Sequence, residues 1–451
     1  MSDEEVENLR IASGTIARQV GVQLLELSPD RTKGNRMLEK FITPPGTIDP
    51  EHGLDRIQTA MRPHFPRFSD AEYERRHRAI RSEMQRQGLS CLVIYAGSYS
   101  VGNQKNLHFV SNLISYLPAY LVFPLEGEPT LFTLIYSFIP GARSISNVED
   151  VRWSLGPSGP IDCIRDLGYD DGKIGLVGED IVSSSIPHDH FEQFDTAFGL
   201  DCLENFTFAM HALMKIPSDE ELEWFRIGAA YSDLGVAAYM EAAEPGKTDN
   251  QIYAAIHHAY LSKPHGVFYF SWIGSTPMDD PTCPYPFGLP SGRTVGRGDV
   301  IMTEISGSYH GYAGQIARPL ALGKPPQRYR DFFDRAQDVY YGVQEVLVPG
   351  NTPRDVLKVS QKFLDAGYSV QCPTIHGWGQ RIIPPFADVP GSQVWTAELD
   401  VPFEENQLIM IEPSPCSPDM TAGIFVGDLN RVTSGGAESL HDMPFEFAVK
   451  E

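Results

Sequence analysis

The feature that most constrains the fold is a succession of capped helices and paired strands in the second half of the chain. Ser218 and Glu221 match a capping box that opens a helical pattern ending at Pro245-Gly246, and Thr248 begins another helix with Gln251 three residues later. Further helices are predicted over residues 329–347 and 352–366, and strands within residues 267–274, 298–322 and 408–433. Long helices beside an antiparallel or mixed sheet predict an α+β domain.

The first half of the chain predicts an α/β domain. Ser69 caps a charged helix that runs to Gln87, and residues 89–95 form an apolar run typical of a buried strand. A hairpin over residues 120–132 and a strand over residues 173–177 continue the pattern. We therefore expect helices and strands to alternate here.

Length and proline content divide the chain into three predicted segments. At 451 residues it exceeds the usual size of a single hydrophobic core. Residues 1–66 contain several prolines that interrupt any long element and are predicted to form an N-terminal arm. The α/β domain then covers residues 67–210, and the α+β domain covers residues 211–451.

Composition and charge argue against two classes of binding partner. The formal net charge is -23, which predicts no binding to nucleic acid or to an anionic membrane, because both require a clustered basic surface. The chain has no apolar run long enough to span a bilayer and begins with the acidic stretch MSDEEVENLR, so we expect a cytoplasmic protein. Its six cysteines include no CxxC pair and are expected to be reduced thiols rather than a disulfide framework or a zinc site.

The segment GDVIMTEISGSYHGYAGQIARPLAL, residues 298–322, predicts a β-hairpin that carries two polar side chains in an apolar setting. Gly307-Ser308 and His310-Gly311 offer turn residues. Glu304 and Gln315 lie on either side of this turn and can point into one site.

Five polar residues are candidates for a single site on neighbouring strands: Glu304, Gln315, His376, Glu412 and Asp428. Histidine is the side chain most readily poised near neutral pH, so we predict that His376 is the general base or acid, with Glu304 and Glu412 as the other catalytic groups. Gln315 and Asp428 are predicted to bind substrate. Two alternatives remain open. In one, His376 has only a structural role and hydrogen-bonds a backbone carbonyl. In the other, Glu304 is a structural carboxylate paired with Arg318 or another arginine.

Aromatic residues flank these positions and suggest a pocket for an apolar or aromatic substrate. Trp272, Tyr285, Tyr312 and Trp378 are predicted to bind the substrate. Because side chains alternate along a strand, only about half of such residues can face a site, and the alternative is that they belong to the core.

Several phrases in the second half resemble a known family. LMKIPSDEELEWFRIGAA, AEPGKTDNQI, GRGDVIMTEISGSYHGYAGQIARPL, TIHGWG, LIMIEPSP and FVGDLNRVT occur in this order and resemble the pita-bread family M24, which contains creatinase, prolidase, Xaa-Pro aminopeptidase and methionine aminopeptidase. The resemblance covers residues 213–445, while residues 67–210 resemble the N-terminal domain of its creatinase and prolidase branch. It implies a C-terminal pita-bread domain preceded by a creatinase-type α/β domain. It also implies a homodimer in which the N-terminal domain of one protomer lies near the active site of the other.

The peptidases of this family bind two divalent metals through two Asp, one His and two Glu residues. The resemblance places these ligands at Glu304, Gln315, His376, Glu412 and Gly427. Both bridging positions then lack a carboxylate, since an amide is a poor ligand for a hard cation and glycine has no side chain. We therefore expect no metal cofactor, and the alternative is a single iron or zinc ion held by Glu304, His376 and Glu412.

Other family positions also differ. The catalytic His that precedes the GD motif in the family falls near CPYPFG, which has no His, and the second His falls within residues 382–385, which also lack one. Creatinase works without a metal, and its substrate-holding Glu corresponds to Glu412 here, but its other Glu falls at Ala317 and its late His at Asp428. The resemblance thus implies that peptidase chemistry is lost and that creatine is not the substrate.

The predicted function is metal-independent hydrolysis of a C–N bond in a small molecule. His376 would activate water while Glu304 and Glu412 hold the substrate, as the resemblance to creatinase and to the family's ectoine hydrolases implies. One alternative is a lyase that cleaves a C–C, C–S or C–O bond, as the family's dimethylsulfoniopropionate lyases do, with an aromatic compound as one substrate class. The other alternative is a non-catalytic binding protein.

Overall fold

The computed structural model of the chain describes residues 57–97, 102–178, 185–286, 288–393 and 396–451. Most of the predicted arm, residues 1–66, therefore lies outside the described residues. Among those that are described, no helix combines the length and hydropathy needed to cross a membrane.

The first half builds a six-stranded mixed sheet in the order β4-β3-β2-β1-β5-β6. Its central strand β1 pairs antiparallel with β2 and parallel with β5. The elements are α1 Asp70–Gln87, β1 Leu89–Ala96, α2 Lys105–Ser111, β2 Ala119–Pro124, β3 Thr130–Thr133, α3 Ile139–Ile145, β4 Asp150–Trp153, α4 Ser158–Asp166, β5 Lys173–Val177, α5 His188–Phe198, β6 Leu203–Asn205 and α6 Thr207–Met214.

The second half builds a ten-stranded sheet whose main path runs β13-β12-β14-β16-β10-β8-β7. Three short strands, β17, β18 and β9, pair with β16, β10 and β8, and β11 pairs with β15 in a separate ladder. The elements are α7 Asp219–Ala242, α8 Asp249–Leu261, β7 Gly266–Pro277, β8 Asp299–Tyr309, β9 Tyr312–Ala313, β10 Ile316–Leu322, α9 Gln327–Val346, α10 Pro353–Asp365, β11 Ser369–Val370, β12 Ile375–Trp378, β13 Ile382–Ala387, β14 Leu408–Ile411, β15 Pro415–Cys416, β16 Gly427–Thr433, β17 Gly436–Ser439 and β18 Ala448–Lys450.

Helices α1, α7 and α8 begin at the capping residues that the sequence predicts. Ser218 and Glu221 exchange the two hydrogen bonds of a capping box at the start of α7, and Thr248 and Gln251 do the same for α8. Ser69 accepts a hydrogen bond from the backbone of the first turn of α1. These side chains satisfy backbone N–H groups that would otherwise lack partners.

Only the second of the two predicted turn positions within residues 298–322 forms the hairpin turn. Strand β8 continues through Gly307 and Ser308, and the turn lies at His310-Gly311. Gly307 serves a different purpose, because a Cβ there would lie 2.8 Å from the backbone nitrogen of Ser232 in α7. The predicted turn role of Gly307-Ser308 is therefore wrong, and the glycine instead permits a close approach of helix to strand.

The large sheet has two distinct faces because side chains alternate along each strand. On the face covered by α7 and α8, Ile301, Ile305 and Ile316 pack with residues of both helices. Ile375 and Ile411 pack on α9 and α10 in the same way, and the strand register places them on that same face. We call this the helix face, and the opposite one the site face.

Candidate active site

A row of four residues crosses the site face at the centre of the large sheet. Glu304 on β8 pairs with Ala317 on β10, which pairs with Gly427 on β16, and Glu412 follows β14 beside Gly427. At roughly 4.8 Å per strand, the Cα atoms of the two glutamates are about 14 Å apart. Two buried carboxyl groups thus stand at the ends of a row whose middle positions have little or no side chain.

Glu304 is buried and surrounded by hydrogen-bond donors. The Gln315 amide nitrogen donates to its Oε1, and the Tyr285 hydroxyl donates to its Oε2 at 3.1 Å. Burial first, and then the nearby Glu412, raise the pKa of Glu304 well above its ordinary value and favour the protonated acid. The same kind of burial, together with Glu304, raises the pKa of Tyr285.

His376 lies beside the second carboxylate. Its Nε2 is 3.5 Å from Glu412 Oε1, and its Nδ1 is 3.1 Å from the carbonyl oxygen of Gly377. Donation from Nδ1 to that carbonyl directs Nε2 toward Glu412 and fixes the tautomer of the neutral ring. The structure therefore contains the carbonyl contact that a structural histidine would make, together with a carboxylate contact that suits a general base or acid.

Cys372 is a site residue that the sequence did not single out. Its thiol lies 3.4 Å from the carbonyl oxygen of Glu412 and 3.1 Å from Ser414 Oγ. Burial, then Glu412, raises the pKa of this thiol well above its ordinary value. Its only sequence signal is its position four residues before His376, at the approach to β12.

Tyr285 and Trp272 form the solvent side of the group. Trp272 on β7 pairs with Glu304 on β8, is 36% exposed, and has its ring 6.0 Å from that of Tyr285. The Tyr285 ring in turn packs 4.7 Å from Phe425. Both predicted aromatic residues therefore lie where a substrate can approach the carboxyl groups.

Trp378 and Tyr312 lie deeper than expected. The Trp378 ring is 5.8 Å from that of His376, but it is fully buried and donates from Nε1 to the carbonyl oxygen of Ala313 at 2.9 Å. Tyr312 is also fully buried, and its hydroxyl donates to Glu221 at 3.1 Å. Trp378 therefore packs near the ring of His376 in the protein interior. Tyr312 belongs to a separate polar network that includes Glu221.

Asp428 does not join the group. It pairs with Ile411 and Ile316 and therefore lies on the helix face, where Arg318 binds its Oδ1 at 2.6 Å and Tyr340 donates to its Oδ2 at 3.0 Å. The structure thus differs from the predicted converging set, because a shift of one residue along a strand reverses the face. It also shows that the partner of Arg318 is Asp428, not Glu304.

The residues present do not fit the family's pair of metals. Gln315, at a position where the resemblance implies a bridging carboxylate, donates its amide N–H to Glu304. At Gly427, a Cβ would lie 2.3 Å from the carbonyl oxygen of Ile411, so a ligating side chain there requires movement of the backbone. Among the described residues, no three His, Cys, Asp or Glu side chains form a group suited to a metal ion.

Comparisons with known proteins show what the second half of the chain is similar to. Residues 223–434 match the profile of Metallopeptidase family M24. A probable dipeptidase PepE of Mycobacterium tuberculosis is 27% identical over 403 residues, covering 85% of this chain and 98% of that protein. The Xaa-Pro dipeptidase of Pyrococcus furiosus is 23% identical over 229 residues, covering 50% of this chain and 62% of the enzyme, so the chain spans about three fifths of that relative.

Solved structures show the same fold. The prolidase from Pyrococcus horikoshii OT3 superposes with a TM-score of 0.68 at 19% identity, covering 83% of this chain and 99% of that one. The dipeptidase PepE from Mycobacterium ulcerans also gives 0.68, at 23% identity, covering 85% and 99%. The α+β pita-bread fold preceded by an α/β domain is thereby confirmed, and the part of the chain that carries the site matches the model of metallopeptidase family M24.

Proposed function

We propose that the chain is a metal-independent hydrolase that cleaves a C–N bond in a small molecule. The proposal rests on one observation: Gln315 donates to Glu304 and Gly427 has no room for a side chain, while His376 lies beside Glu412. The family resemblance assigns the two bridging metal ligands to positions 315 and 427. The dipeptidase names of the relatives support hydrolysis as the general class of reaction.

The geometry gives each group a role. Nε2 of His376 takes a proton from the attacking water, and Glu412 beside it stabilises the imidazolium that forms. Glu304, which burial keeps toward its protonated form, gives a proton to the departing nitrogen. After this proton transfer, the hydroxyl of Tyr285 donates a hydrogen bond to the Glu304 carboxylate and stabilises it.

Substrate binding is proposed for residues around this centre. Trp272 and Tyr285 offer aromatic surface on the solvent side, and Gln315 fixes the orientation of Glu304. A small apolar or aromatic group fits this lining. We also propose a homodimer, which light scattering on the purified protein would test.

The test is turnover of small amides, ureas, amidines and guanidines in oxygen-18 water. Incorporation of label into a product, with a rate that a chelator does not change, is the expected result. Label-free turnover would indicate a lyase, and loss of activity in chelator with recovery in manganese would indicate a retained metal centre. Either result overturns the proposal, as does the absence of turnover across the panel.

Two histidine variants separate chemistry from folding. His376→Gln should lower kcat by about 100-fold or more, because general base catalysis typically contributes that much. His188→Gln is the matched control, since that side chain is 86% exposed on α5 and lies in the other half of the chain. Equal rates for the two variants would contradict the role of His376.

A further inference from the structure

A second group of buried polar residues lies where α2 meets the large sheet. Lys105 and His108 come from α2, His310 from the hairpin turn, and Gln380 from the loop after β12. All four are more than nine-tenths buried. We call them the interdomain cluster.

Contacts place the four side chains together. The Lys105 ammonium donates to the carbonyl oxygen of Gly311 and lies 4.8 Å from the ring centroid of Tyr269. The Tyr269 hydroxyl donates to the backbone carbonyl of Gln380 at 3.3 Å. The rings of His108 and His310 are 5.2 Å apart. The cluster therefore surrounds one small region between the two halves of the chain.

Most polar atoms of the cluster lack a partner within the protein. Both ring nitrogens of His108, Nε2 of His310 and both amide atoms of Gln380 are buried without a hydrogen bond of regular geometry, although the side chains of His108 and Gln380 approach each other. Lys105 makes a single hydrogen bond, although an ammonium has three donors. Buried polar groups almost always find partners, so five unpartnered atoms in one place indicate a molecule that the chain itself does not supply.

The charges around the cluster are positive. Arg381 lies near Lys105, and Arg76 lies near His108 but is already bound by Glu72 and Glu221. Among the described residues, no carboxylate forms an ion pair with Lys105. Burial, and then the nearby Arg381, lower the pKa of Lys105 well below its ordinary value and favour the uncharged amine. A bound anion would supply the missing opposite charge and favour the ammonium again.

The hairpin turn adds a further sign that His310 is placed for its side chain. Its φ is 44°, in the left-handed region that favours Gly or Asn in a two-residue hairpin turn. The histidine ring nevertheless points into the cluster and is 6% exposed.

We propose that Lys105, His108 and Gln380 bind a small oxyanion at the contact between the two halves of the chain. The anion oxygens would accept from the Lys105 ammonium, a His108 ring N–H and the Gln380 amide. Inorganic phosphate and a free carboxylate share this chemistry. The site is separate from the candidate active site, since Tyr269 and Trp378 lie between the two.

The test is thermal unfolding of the full chain in potassium phosphate or potassium acetate, against potassium chloride at equal ionic strength. We expect a saturating rise in Tm of about 2 to 4 °C in the millimolar range with at least one of the two anions. A response to only one of them identifies the source. No rise, or a rise that increases linearly without saturation as excluded salts produce, overturns the proposal.

Two lysine variants make the test specific. Lys105→Met should unfold at or above the wild-type temperature in chloride, because it replaces a buried polar group that has no opposite charge beside it, and should lose the response to the anion. Lys358→Met, whose side chain is 75% exposed, is the control and should keep that response. The proposed site is excluded if Lys105→Met still shows the saturating rise in Tm. It is also excluded if the substitution lowers Tm by the same amount in chloride, phosphate and acetate. His108→Gln should weaken binding without abolishing it.

Discussion

Replacement of Glu304 by Gln should stabilise the protein increasingly as pH rises. Burial and the nearby Glu412 raise the pKa of Glu304 well above its ordinary value of 4.5. The folded protein then binds a proton that the unfolded chain releases, so the wild type loses stability between the unfolded and the folded pKa. The neutral amide of Glu304→Gln has no such loss.

The magnitude follows from linkage. Within that pH window, the free energy of unfolding of the wild type should fall relative to the variant by about 1.4 kcal/mol per pH unit. From about pH 5 to pH 7 this amounts to as much as roughly 2.7 kcal/mol, and the difference becomes constant once the folded pKa is passed. Below the unfolded pKa the two proteins should differ only by the constant effect of the changed hydrogen bonds to Tyr285 and Gln315.

Urea denaturation of the two proteins at several pH values measures this difference directly. Ser306→Ala, a buried neutral position on the same strand, is the matched control and should show a difference from wild type that does not change with pH. Parallel curves for Glu304→Gln and wild type, or a wild type that gains on the variant with rising pH, would refute the reasoning.

Three further substitutions test how the fold holds the site. Gly427→Ala should lower the free energy of unfolding by about 1 to 3 kcal/mol in urea denaturation, because its Cβ would lie 2.3 Å from the carbonyl oxygen of Ile411; an unchanged midpoint would contradict this. Arg318→Met should cost about 3 to 5 kcal/mol by leaving Asp428 buried and unpaired, and adding Asp428→Leu should recover much of the loss. Ser218→Ala removes half of a capping box and should lower Tm by the equivalent of about 1 kcal/mol, whereas an unchanged Tm would show that the cap contributes nothing.

Elements governed by neighbouring residues could be predicted from the sequence. The capping boxes at Ser218 and Thr248 form as expected, and the strand over residues 173–177 has the predicted bounds. These features depend on contacts within one turn or on the apolar pattern of a few residues. Tertiary packing does not override them here.

Features that depend on long-range register could not be predicted in the same way. The phase of alternation along β16 decides whether Asp428 or Gly427 faces the site, and a single-residue shift reverses the answer. The sequence predicts a turn at Gly307, whereas in the structure this glycine allows α7 to pack closely against β8. Cys372 joins the site because its thiol contacts the backbone carbonyl of Glu412, which lies forty residues later and follows β14.

The two carboxyl groups that remain in the site can coexist because each has its own donors. Two buried carboxylates near one another are unfavourable unless a charge or a proton separates them. Tyr285 and Gln315 donate to Glu304, whereas His376 lies beside Glu412, so the two acids are placed in different surroundings. Burial, and then the nearby Glu412, raise the pKa of Glu304 and favour a proton on that carboxyl, which suits Glu304 to the role of the acid. The Gln315 amide is neutral and donates a hydrogen bond to Glu304. A carboxylate at position 315 would instead add a negative charge that a cation would have to balance.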